Sequence, residues 1–119
     1  MRKLTHKMIK SIEDGNNVVL CTILASSGSS PRGAGARMAV FADGSTMGTV
    51  GGGRVELLAA EEAREVLKTG KTRVRAFFLA PDQVSSIGMI CGGNVTIYYQ
   101  LLTADDIPVL HRMEEALCA

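Results

Sequence analysis

Apolar positions recur along this chain with two periods, and the changes of period mark the elements. Leu4, Met8, Ile9 and Ile12 recur at helical spacing until Gly15, which predicts a helix over about 4–14. Val18 to Ala25 is a continuous, partly β-branched apolar run between turn residues, the pattern of a buried central strand. Residues 37–41 and 46–50 flank Ala42-Asp43-Gly44-Ser45. An Asp-Gly pair between apolar runs predicts a hairpin, because a type I′ turn needs positive φ. A helix opens at Arg54, with Val55, Leu57, Leu58, Ala59, Ala63, Val66 and Leu67 mostly on one face, and Gly70 closes it. Arg73 to Leu79 alternates as a strand, with Val74, Ala76 and Phe78 on one face. Asn94 to Leu102 is a further strand, with Val95, Ile97 and Tyr99 opposite Thr96, Tyr98 and Gln100. Thr103-Ala104-Asp105-Asp106 resembles a helix start, and Ile107, Leu110, Met113 and Leu117 follow as an apolar stripe.

The resulting order, α-β-β-β-α-β-β-α, predicts an α/β or α+β fold. It reads as one domain, a mixed sheet of about five strands with flanking helices. The length of 119 residues and a hydrophobic fraction of 46% allow a single core without metal or disulfide staples. A net charge of +1 argues against a general nucleic-acid binder. An aromatic fraction of 4% with no Trp argues against base-stacking platforms. The longest apolar stretch, Val18 to Ala25, is much too short to span a bilayer. Lys10, Glu13 and Asp14 break any apolar run behind the basic N-terminus, so no secretory signal is expected. Three cysteines at irregular spacing do not form a disulfide framework. Reduced thiols and a cytoplasmic location are the expectation.

The candidate chemistry lies in three glycine-dense loops. Gly51-Gly52-Gly53 runs into the helix at Arg54. Helix N-termini present unpaired N–H groups and favour anions, and Arg54 adds a forked donor suited to phosphate. The same glycines are also consistent with nothing more than a tight strand-to-helix turn. The Lys-Ser/Thr pair of a P-loop is absent, and so is the dinucleotide fingerprint. In the first loop, Ser29, Ser30, Arg32, Gly33, Gly35 and Arg37 offer hydroxyls, free amides and guanidinium groups to a phosphate or a polar ring. A merely solvated loop explains them as well. In the third loop Cys91 precedes Gly92-Gly93. A thiolate there, held by backbone N–H groups, would serve as a soft metal ligand or a sulfur acceptor. Its alternative is a small apolar filler, which suits the mid-strand Cys21 well. No His/Cys/Asp cluster at zinc spacing and no Ser-His-Asp arrangement stands out.

Taken together, "GSSPRGAGARM", "GTVGGGRVE" and "GMICGG", in that order and spacing, resemble the N-terminal domain of the XdhC/CoxI family. The resemblance covers nearly the whole chain. Many members carry a second, Rossmann-type domain that has no counterpart in residues 1–119. The resemblance implies a maturation factor for molybdenum hydroxylases of the xanthine dehydrogenase type. Such a protein binds molybdenum cofactor as cargo, assists its sulfuration with a cysteine desulfurase, and delivers it to the apoenzyme. On that reading the cofactor's phosphate sits at Gly51–Gly53 with Arg54. The pterin lies along Ser29–Arg37, and the molybdenum end faces Cys91 and the adjoining Gly92 and Gly93. The chain then reads as an accessory factor rather than an enzyme with turnover. Two alternatives remain: a sulfurtransferase carrying persulfide on Cys91, and a docking subunit whose Ile107/Leu110/Met113/Leu117 stripe is exposed. A homodimer is the expected assembly.

Overall fold

The computed structural model describes residues 2–26, 35–51, 53–79 and 93–118. In chain order the elements are α1 (Arg2–Glu13), β1 (Val18–Ser26), β2 (Arg37–Val40), β3 (Thr46–Gly48), α2 (Gly53–Thr69), β4 (Arg73–Leu79), β5 (Gly93–Leu102), a 3-10 turn (Ala104–Asp106) and α3 (Ile107–Cys118). The expected order is therefore observed. Five strands form one sheet in the order β3-β2-β1-β5-β4.

Local sequence explains the element ends. The N–H of Asn16 donates to Ser11 O at 3.0 Å and that of Gly15 to Ile12 O at 2.9 Å. With Gly15 at φ +93°, this is a Schellman stop, which satisfies the last carbonyls of α1. At the other end of the chain, Asp106 Oδ2 accepts the Thr103 N–H at 2.8 Å while Thr103 Oγ1 accepts the Asp105 N–H. This capping box turns the chain into α3.

The sheet is all antiparallel, whereas the sequence pattern predicts a mixed one. The β-α-β order of β3, α2 and β4 does give two strands that run in the same direction. They lie at opposite edges, with three strands between them, so no parallel neighbours form. α2 has 17 residues and is about 25 Å long, enough to cross the roughly 19 Å from β3 to β4.

Strand alternation sends side chains to two separate cores. Val19, Cys21, Ile23, Met38, Val40, Ile97 and Tyr99 pack on one face against Val55, Ala59, Ala63 and Val66 of α2. The small alanines let this helix approach the sheet closely. Glu62 pins the far half of α2 to the β4 edge, accepting from Arg73 Nη1 at 2.7 Å and Arg75 Nη1 at 3.5 Å. On the other face Val18, Leu20, Ala39, Phe41 and Leu102 meet Leu4, Met8, Ile9 and Ile12 of α1 and Leu110 of α3. Leu110 is buried, and Ile107 and Met113 pack against the same cluster. The stripe on α3 therefore faces the domain's own core. The docking-subunit alternative, which needs that stripe open, loses its basis at these three residues. Leu117's side chain lies outside the described residues.

Candidate functional site

Antiparallel pairing brings the anchors of all three glycine-rich loops to one end of the sheet. The first loop leaves β1 at Ser26, which pairs with Val95, and returns through Gly35 to β2 at Arg37. Gly35 N–H donates to Ile23 O at 2.8 Å, and Ile23 N–H to Ala36 O at 2.9 Å. The second loop leaves β3 at Gly48, which pairs with Met38 beside Arg37. The third spans Leu79 and Gly93, themselves a pair. Thus Gly35, Arg37, Gly51, Gly53, Arg54 and Gly93 lie at the same end of the strands, with the second loop at the β3 side and Gly93 at the β4 side of the sheet. Ser29, Ser30, Arg32, Gly33, Gly52, Cys91 and Gly92 lie outside the described residues.

One hydrogen bond and one close backbone approach fix the second loop against the start of β2. Thr49 N–H donates to Arg37 O at 3.0 Å. Gly48 has φ +85°, and a Cβ there would sit 2.6 Å from the same Arg37 oxygen. Only glycine fits, because a side chain meets both a strained backbone and a backbone clash. Arg37 and Arg54 are both exposed at this end, and neither guanidinium has a partner among the described residues.

The start of α2 holds a residue that the sequence reading missed. Glu56 Oε1 accepts the Val50 N–H at 3.3 Å and the Thr49 hydroxyl, while Gly51 N–H donates to Thr49 Oγ1 at 3.0 Å. Glu56, in the first turn of α2, thus spends its carboxylate on the loop that leads into the helix. The signal available in the sequence is an acid in the first turn, next to orphan amides.

Cys21, in contrast, is a filler as expected. It is fully buried, and burial pushes its thiol up to about 12, so it stays protonated at neutral pH. Among the described residues no group of three His, Cys, Asp or Glu side chains is placed to hold a metal. No described helix is long and apolar enough to cross a membrane.

A cleft opens on the face opposite α2, where α1 and α3 leave part of the sheet uncovered. This cleft has a volume of about 330 Å³ and runs between the sheet and α3. Leu20, Leu24, Leu102, Val109, Leu110 and Met113 supply its apolar walls, and Thr22, Tyr98, Gln100, Asp106 and Arg37 supply polar groups. Arg37 belongs both to the cleft and to the loop end of the sheet.

The family model of the XdhC and CoxI family matches residues 11–79. The chain belongs to this family. It is 31% identical over 116 residues to the molybdenum cofactor insertion chaperone PaoD of Escherichia coli K12, a match that covers 96% of this chain and 36% of PaoD. It is also 38% identical over 79 residues to the uncharacterized protein YqeB of the same organism, covering 66% of this chain and 14% of YqeB. Among solved structures it resembles a xanthine dehydrogenase from Bacillus halodurans with a TM-score of 0.74 and 24% identity, over 96% of this chain and 34% of that one. This last likeness concerns the fold alone. The chain spans little more than a third of PaoD and less of YqeB.

Proposed function

We propose that this chain binds molybdenum cofactor as cargo and passes it to a hydroxylase of the xanthine dehydrogenase type. The observation that carries the proposal is the gathering of three glycine-rich loop anchors and two unpartnered arginines at one end of the sheet. The likeness to a molybdenum cofactor insertion chaperone over 96% of the chain supports it. The cofactor is a pterin with a terminal phosphate and a dithiolene-bound metal, so a holder needs anion donors at one side and a soft ligand at the other.

In this proposal Arg54 and the Gly51–Gly53 turn receive the phosphate. Glu56 already takes the Val50 amide and Thr49 the Gly51 amide, so the guanidinium carries most of that contact. Arg37, with Ser29, Ser30, Arg32, Gly33 and Gly35, contacts the pterin. Cys91, flanked by Gly92 and Gly93, faces the molybdenum and takes part in its sulfuration, with a cysteine desulfurase as sulfur donor. The protein works in the cytoplasm as a dimer and has no turnover of its own.

The test is anaerobic equilibrium binding of molybdenum cofactor to the wild type, Arg54→Ala and Cys91→Ser. Arg54→Ala is expected to weaken binding by about 1.5–3 kcal/mol, the value of a hydrogen bond to a charged group. Cys91→Ser is expected to alter the metal absorption bands. Wild-type affinity and spectrum in both variants would remove these residues from the site.

A further inference from the structure

We infer that the cleft between α3 and the uncovered part of the sheet takes a flat, hydrogen-bonding heterocycle, which on the cargo reading above is the pterin of the cofactor. The inference rests on that reading and moves the pterin ring from the loop into the cleft on the face opposite α2, with Arg37 the contact common to both placements. Its basis is the arrangement of polar groups on an apolar floor. Tyr98 pairs with Thr22 and Thr22 with Arg37, so the three side chains stand in one row across adjacent strands. The row spans roughly 10 Å at ordinary strand spacing. Gln100 lies one step along β5 on the same face, opposite Leu20.

None of these four side chains has a hydrogen-bond partner among the described residues. Asp106 spends one oxygen on the Thr103 N–H, and its other oxygen likewise lacks a described partner. An apolar slot with a few convergent polar groups is the usual form of a small-molecule site, and the volume of about 330 Å³ lies at the lower end of that class.

The polar groups also select the ligand. A Gln amide presents a donor and an acceptor side by side, and a carboxylate oxygen accepts. A pterin's edge offers the complement, an amino group and a ring N–H beside a carbonyl. Arg37 borders both the cleft and the loop end, so a ligand in the cleft meets the loop end at that residue. A partner helix would instead call for a continuous apolar floor, which Thr22, Tyr98 and Gln100 interrupt.

The experiment uses the whole chain and two probes, metal-free 6-hydroxymethylpterin followed by its own fluorescence, and intact molybdenum cofactor. The variants are Gln100→Leu, which keeps the volume but loses the amide, and Val109→Trp, which fills the cleft from the exposed side of α3. Both are checked for an unfolding midpoint near that of the wild type. The expected result is saturable binding of the pterin and the cofactor by the wild type, with each weakened about tenfold or more in both variants. Cofactor binding that is unchanged in both variants overturns the cleft inference and leaves the cargo reading standing. Binding of neither probe by folded wild type overturns the cargo reading, and the inference with it.

Discussion

Cys21 and Tyr99 face each other across β1 and β5, and both are fully buried. Their titration ties the stability of the domain to alkaline pH. Burial raises the thiol from its ordinary value of 9.0 to about 12, and it raises the Tyr99 phenol as well. The folded chain then keeps a proton that the unfolded chain releases. Stability is therefore full below the unfolded thiol's pKa and falls as pH rises toward 12. The slope for Cys21 is about 1.4 kcal/mol per pH unit. Denaturant unfolding from pH 8 to 11 is expected to show this decline, and Cys21→Ala to flatten it below pH 10. A wild-type curve without slope would contradict it. Tyr99 supplies a second residue-level expectation. Its hydroxyl is buried with no partner among the described residues, so Tyr99→Phe removes an unsatisfied group without leaving an unpaired partner. The unfolding midpoint is expected to stay level or rise; a loss above about 1 kcal/mol would mean that the hydroxyl has a partner.

At the scale of elements, the start of α2 matters most. Glu56 ties the helix to the preceding loop through Val50 and Thr49. Glu56→Ala is expected to cost about 1–3 kcal/mol, since it leaves a buried-side amide and a hydroxyl without their acceptor. Denaturant titration checks this, and an unchanged midpoint would show that water substitutes for the carboxylate. Most elements were legible in the chain. The apolar spacing of Leu4, Met8, Ile9 and Ile12 gives α1, and the Asp43-Gly44 pair gives the place of the turn between β2 and β3, because both signals act over a few residues. The turn is not the expected type I′: of the pair only Gly44 has positive φ (+88°), and its N–H donates to Phe41 O, so Ala42 and Asp43 form the turn and the glycine follows it. The role of Glu56 was hidden, since its bond spans six or seven residues and depends on the loop's path. A helix N-terminus after three glycines reads as an open anion site, and nothing local shows that an acid of its first turn reaches back to the preceding loop. The α3 stripe was equally ambiguous, because the pattern shows an apolar face and not what covers it.

The molecule as a whole is organised by strand order, which no local pattern reveals. The order β3-β2-β1-β5-β4 brings three loops far apart in sequence to one end of the sheet. The sequence names the loops and their residue types; only the pairing of Ser26 with Val95, Met38 with Gly48 and Leu79 with Gly93 puts their anchors at the same end of the strands. The same order leaves part of the second face open beside α3, and Arg37 joins that cleft to the loop end. The proposal that this end of the molecule holds molybdenum cofactor is tested by an anaerobic titration of the whole chain with the cofactor, beside the Arg37→Ala/Arg54→Ala double variant. The expected result is saturable binding of one cofactor per chain, weakened more than about tenfold in the double variant. A well-folded chain that binds no cofactor, or a double variant that binds as tightly as the wild type, would contradict it.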